Sequence, residues 1–140
     1  MTALSDLTAA QMAAGYAEGE FSPLEVLASV QSRMDACEPV INALHHRDDE
    51  RSREAAEASA RRFAAGAPLG PLDGVPVTIK ENIARRGVPM PSGHAWLDVP
   101  LADHDAPITE RLTEAGAVIV GSTTMPDWGM LSSGVSSLHG

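Results

Sequence analysis

Two short β-branched runs limit what this chain can become. Gly74-Val75-Pro76-Val77-Thr78-Ile79 follows the turn Gly70-Pro71-Leu72-Asp73-Gly74, and Val118-Ile119-Val120-Gly121 follows a helix closed by Gly116. A strand, a long crossover holding a helix and a second strand are the grammar of an α/β sheet with the two strands parallel. Strand alternation sets Val75, Val77 and Ile79 on one face and Pro76, Thr78 and Lys80 on the other. Lys80 therefore leaves the sheet at the C-terminal end of a strand, the edge where open α/β sheets hold their ligands.

Helix signals flank this unit. Thr8 and Gln11 form a capping box that opens a helix over about 8–18, before Gly19. Ser22-Pro23-Leu24-Glu25 is a stronger start, with cap, proline and glutamate in order. The helix it opens, about 22–37, carries Leu27, Val30, Met34 and Cys37 as one buried stripe. Pro39 is expected to end it, leaving Val40 to Leu44 either extended or as a short connector. An alanine-rich helix follows over about 48–65, with Asp49 facing Arg53 and Glu57 facing Arg61 outside, and Ala56, Ala60 and Phe63 inside. Another spans about 105–115, capped by Asp105 with Pro107 in its first turn, and turns Ile108, Leu112 and Ala115 inward. With strands at about 75–80 and 118–121, residues 1–140 read as part of one α/β domain.

Composition excludes several classes of function. The formal net charge of −9 leaves no basic patch for phosphate, so no direct nucleic-acid contact is expected. No apolar run approaches the roughly 20 residues of a membrane span, and the N-terminus lacks a signal-peptide pattern. A single cysteine, Cys37, permits no internal disulfide and fits a reducing compartment, so a cytoplasmic location is expected. Lys80 is the only lysine among ten cationic residues. Arginine stays charged at any working pH, whereas an enclosed lysine can shed its proton and act as a base.

The stretch Gly70-Pro71-Leu72-Asp73-Gly74-Val75-Pro76-Val77-Thr78-Ile79-Lys80-Glu81-Asn82 resembles the lysine motif of the amidase signature family. Ser22-Pro23-Leu24-Glu25-Val26 and Pro39-Val40-Ile41-Asn42-Ala43 are similar to that family's N-terminal helices. Glu114 to Gly121 is similar to its next strand entry, and Met125-Pro126-Asp127-Trp128-Gly129-Met130 to its pocket loop. The resemblance implies a hydrolase that cleaves a carboxamide to acid plus ammonia or amine through an acyl-enzyme, using a Ser–cis-Ser–Lys triad and no cofactor. It implies that residues 1–140 are the N-terminal part of a mixed central β-sheet surrounded by helices, that Lys80 is the catalytic lysine and that Gly129, Met130, Ser132 and Ser133 line the substrate site. In the family the glycine- and serine-rich stretch holding both catalytic serines lies past the position of Gly140. Ser132, Ser133, Ser136 and Ser137 therefore receive no triad role, and the 140 residues alone are expected to be inactive.

Ser122 and Thr124 stand where the family often carries lysine and asparagine, and His94 where serine is common. The implied partners are a small-molecule amide and either a homodimer mate or the C-terminal part of the fold. Two other readings stand beside this one: the amidase subunit of an aspartyl/glutamyl-tRNA amidotransferase, and a non-catalytic binding or scaffold module derived from an amidase.

His45-His46 beside Asp48 and Asp49 reads as a solvated connector, because adjacent loop residues point apart and no second ligand pair is spaced to help. No metal site is expected. His94, His104 and His139 read as surface residues, Cys37 as core filler, and Trp96 and Trp128 as packing residues near loops. Asp103-His104-Asp105 reads as a helix N-terminus.

Overall fold

The computed structural model describes residues 3–95 and 99–140; Trp96 lies outside the described residues. The order of elements is α1 (Ala9–Glu18), α2 (Pro23–Ile41), β1 (Leu44–Arg47), α3 (Asp49–Ala64), β2 (Pro76–Lys80), α4 (Pro107–Glu114) and β3 (Val118–Thr123), with 3-10 turns at Leu4–Asp6 and Asp127–Gly129. The sheet order is β1-β3-β2, with β1 antiparallel and β2 parallel to β3. The fold is thus mixed α/β, and β2 is an edge strand.

Local chemistry accounts for the helix starts. At Thr8 and at Ser22 the hydroxyl accepts the N–H three residues on, and the Gln11 or Glu25 side chain returns to the cap's own N–H. Gly19 closes α1 in the left-handed region at φ 70°, where glycine has no Cβ to clash.

Several local expectations need correction, among them that Ile108 faces inward: it is exposed, and Thr109 is the buried residue of α4. Pro39 lies inside α2, which runs on to Ile41 and closes on Asn42 at φ 45°. A proline in the last turn removes only one bond from the ladder, and asparagine tolerates the left-handed cap. Val40 and Ile41 thus belong to α2, and His45-His46, read as a connector, lie in Leu44–Arg47, which pairs with β3. Asp105 does not cap α4. Pro107 at the first helical position holds Ala106 extended (φ −67°, ψ 154°), so Ala106 takes the cap position. Asp105 Oδ1 instead accepts the Arg86 N–H at 2.7 Å.

Two apolar clusters hold the elements together. Met12, Tyr16, Val26 and Val75 form one, joining α1, α2 and the entry to β2. Leu27, Ala56, Val118 and Val120 form the other, joining α2 and α3 to β3. The inward face of α3 is Ser52, Ala56 and Ser59, small side chains that let the helix approach the sheet closely. Among the described residues, no helix is long and apolar enough to cross a membrane.

Candidate active site

The turn before β2 is clamped by a buried charge. Asp73 is fully buried, and Arg62 of α3 reaches it through Nε to Oδ2 at 2.9 Å and Nη2 to Oδ1 at 2.5 Å. The Leu69 N–H also donates to Oδ2, at 2.9 Å. Burial pushes the Asp73 carboxyl up, but the bonds from Arg62 and Leu69 outweigh it and hold the group below the ordinary carboxylate range. Gly74 follows at φ 78°, and a Cβ there would stand 2.6 Å from Ser59 Oγ and 2.9 Å from Pro23 Cγ. The residue entering β2 must be glycine.

Strand β2 then delivers two neighbouring residues to opposite environments. Lys80 pairs with Thr123 at the end of the parallel ladder, and its residue is exposed on the open edge of the sheet. No hydrogen bond or ion pair engages its ammonium among the described residues. Among the described residues no strand pairs with the outer side of β2, and the Lys80 residue stands exposed. Glu81, the next residue, continues the pairing through its N–H to the Thr123 carbonyl at 3.0 Å, but its side chain is buried, with only 1 % of the residue exposed. Its Oε1 accepts the Met125 N–H at 3.2 Å, and its Oε2 lies 2.8 Å from His139 Nε2 and 3.8 Å from His45 Nδ1.

These contacts overturn the expectation for the histidines. His45 is on a strand, where side chains alternate between faces, and its side chain is only 15 % exposed. His139 is buried to a similar depth, at 9 % side-chain exposure. His94 is also buried, and its ring stacks on Trp128 with centroids 4.4 Å apart. Of the histidines expected at the surface, His104 is exposed, against Asp103 at 2.7 Å. For His46, burial and then the charge of Arg85 hold the imidazole below its ordinary range, against the pull of Asp48.

Arg85, which sequence reasoning passed over, is 2 % exposed and donates from Nη1 to Ser122 Oγ at 3.0 Å. Burial, followed by repulsion from Arg51, lowers its pKa. Where the resemblance expects a lysine at 122, this chain has a hydroxyl that accepts a hydrogen bond from a cation at 85.

The remaining candidates lie on the segment that leaves β3 beside Lys80. Trp128 and Gly129 are consecutive left-handed residues, at φ 52° and 72°, a conformation uncommon for a bulky side chain and typical of constrained loops. The Gly129 and Met130 N–H groups are engaged inside this turn, donating to the Pro126 and Asp127 carbonyls. Gly129, Met130, Ser132 and Ser133 are all exposed, and no hydrogen bond joins them to Lys80 among the described residues. The N–H groups of Leu131, Ser132 and Ser133 donate to no protein acceptor among the described residues. The segment then folds back. Ser137 donates from its N–H and hydroxyl to Asp127, and Leu138 donates to the Gly93 carbonyl at 3.3 Å. Ser136 Oγ accepts the His139 N–H at 2.9 Å.

A family model described as Amidase matches residues 25–140. Across all 140 residues the chain is 39% identical to a glutamyl-tRNA(Gln) amidotransferase subunit of Salinispora arenicola (strain CNS-205), covering 28% of that protein. Among solved structures it is similar to the peptide amidase from Stenotrophomonas maltophilia, with a TM-score of 0.80 and 25% identity over 89% of this chain and 26% of that one. It is also similar to a protein from work on the evolutionary origins of an s-triazine catabolic enzyme, with a TM-score of 0.82 and 32% identity over 86% and 27% of the two chains. The chain spans about 28% of the length of the curated relatives it matches.

Proposed function

Because this chain belongs to the amidase signature family, we propose that it carries the proton-relay lysine of a carboxamide hydrolase. In this reading Lys80, as a neutral amine, takes a proton through one serine from a second, which attacks the amide carbon. Ammonia or an amine leaves, and water releases the acid from the acyl-enzyme. Gly129, Met130, Ser132 and Ser133 border the acyl group, and the unengaged N–H groups at 132 and 133 are donors available to a developing oxyanion.

The observation that carries the proposal is the position of Lys80. It ends an edge strand with its ammonium unengaged, beside the loop that leaves β3. An amine open to water lacks the desolvation that favours the neutral form, so the reading requires a cover over the outer edge of β2. A second copy or further chain would supply it, and the exposed Met130, Leu131 and Val135 are the apolar surface such a cover would bury.

The test compares hydrolysis of simple carboxamides by the 140 residues alone and by the chain completed with the complementary length of an amidase relative. The completed form is expected to turn over and the 140 residues not. Lys80→Arg in the completed form is expected to lower kcat at least about a hundredfold, because arginine cannot serve as the base. Turnover by the 140 residues alone, or full activity of the arginine variant, would refute the proposal.

The similarity to amidotransferase subunits favours a second reading, in which the amide is a side-chain carboxamide hydrolysed to feed ammonia to a charged tRNA. Co-purification of further subunits, with glutaminase activity dependent on aminoacylated tRNA, separates it from a free amidase.

A further inference from the structure

We propose that His45, Glu81 and His139 form a binding site for a divalent first-row transition metal, with zinc the best match. The three come from β1, from the residue after β2 and from the C-terminal turn, and their ligand atoms lie within 4.8 Å of one another. Glu81 sets the requirement. Its carboxylate side chain is wholly buried, and a buried carboxylate needs a compensating cation. No lysine or arginine pairs with it among the described residues; the groups facing it are two imidazoles and the Met125 N–H. Each imidazole can offer one ring-nitrogen lone pair to a metal. A divalent ion supplies the charge and uses those lone pairs together with Oε2.

The two distances to Glu81 come near what this occupant needs. Ligand atoms each about 2.0–2.1 Å from a tetrahedral zinc lie about 3.3 Å apart. Glu81 Oε2 stands 2.8 Å from His139 Nε2 and 3.8 Å from His45 Nδ1, so one ring would retreat and the other advance by about half an ångström each to meet that spacing. Ligation through Nδ1 would leave the proton of His45 on Nε2, which is buried and has no hydrogen-bond partner among the described residues.

The other two ligands are braced. Oε1 of Glu81 is held by the Met125 N–H at 3.2 Å, which orients Oε2. The backbone of His139 is fixed at both ends, its N–H to Ser136 Oγ and its carbonyl to Asn42 Nδ2. Two imidazoles and a carboxylate are the donor set of a three-ligand zinc site with a fourth position left open. Such an ion would tie residues 136–140 to the sheet beside the end of β2.

The test uses chelator-stripped protein titrated with zinc chloride by calorimetry, and with cobalt(II) followed by visible absorption. One equivalent of zinc is expected to bind with Kd at or below about 1 µM, and cobalt to give tetrahedral d–d bands. His45→Gln, Glu81→Gln and His139→Gln are each expected to weaken zinc at least about tenfold, and His46→Gln to leave binding unchanged. X-ray absorption on the zinc-loaded native protein keeps the proposal testable even if a variant fails to fold; two imidazoles and no sulfur in the shell are expected. No stoichiometric binding, binding that survives both His45→Gln and His139→Gln, or a shell with sulfur or fewer than two imidazoles would overturn it.

Discussion

Replacing Asp73 by asparagine removes one charge from a buried pair while keeping the side chain's size. Asp73 accepts three hydrogen bonds, from Arg62 Nε, Arg62 Nη2 and the Leu69 N–H. An asparagine can turn its oxygen toward Leu69 and Arg62 Nε, but its NH₂ then faces Nη2, donor against donor. One charge-assisted bond, worth about 1.5–3 kcal/mol, is lost. The stranded guanidinium recovers part of its hydration, because the Arg62 side chain is 27% exposed. The expected loss is therefore about 2–4 kcal/mol, below the upper end for a fully buried pair. For a chain of this size that corresponds to a Tm lowered by about 10 °C. Urea unfolding followed by circular dichroism measures it. The pH dependence is a second readout: since Asp73 titrates below its ordinary range when folded, its contribution is present above about pH 4 and lost as pH falls through the folded pKa. The asparagine variant should lose stability less steeply on acidification. A loss under about 0.5 kcal/mol, or an unchanged acid limb, would refute the assignment of Asp73 as the clamp of this turn.

Tyr16 is the only tyrosine and is 4 % exposed, with its hydroxyl donating to the Gly74 carbonyl at 3.1 Å. Burial raises its pKa, so the stability it contributes is complete below about pH 10 and is lost as pH rises beyond that value. Phenolate absorbance is expected to appear only together with alkaline unfolding; a separate earlier ionisation in folded protein would contradict the burial. Gly74→Ala places a Cβ against Ser59 and Pro23 at φ 78°, and a loss of about 2–4 kcal/mol is expected in urea unfolding; a neutral result would show that the turn relaxes.

The helix starts were legible because they are written in adjacent residues: Thr8 with Gln11 and Ser22 with Glu25 satisfy each other's backbone within one turn. The parallel pairing of β2 and β3 was legible from two apolar runs with a helix between them. Strand β1 was not, because Leu44–Arg47 has two histidines and an arginine in four residues and no apolar alternation to announce a strand. Its place depends on pairing with β3, far along the chain. Pro39 misled for a related reason, since a proline's cost depends on where in the helix it falls, and the end of α2 is set by Asn42.

The candidate site divides along the same line, and one step of alternation shows where. Period two places Lys80 on the open face, and one further residue along that logic places Glu81 on the closed one. A carboxylate on the closed face must find charge or donors, and that demand is readable from sequence. Which groups answer it is not: His139 is 58 positions away, in a hydroxyl-rich turn whose path is set by Asp127 and Gly93. The open lysine and the buried glutamate are thus two sides of one fact, that β2 is an edge strand with one face against the protein. The binding proposed at Glu81 and the catalysis proposed at Lys80 are separable by experiment, although the two residues are adjacent in the chain.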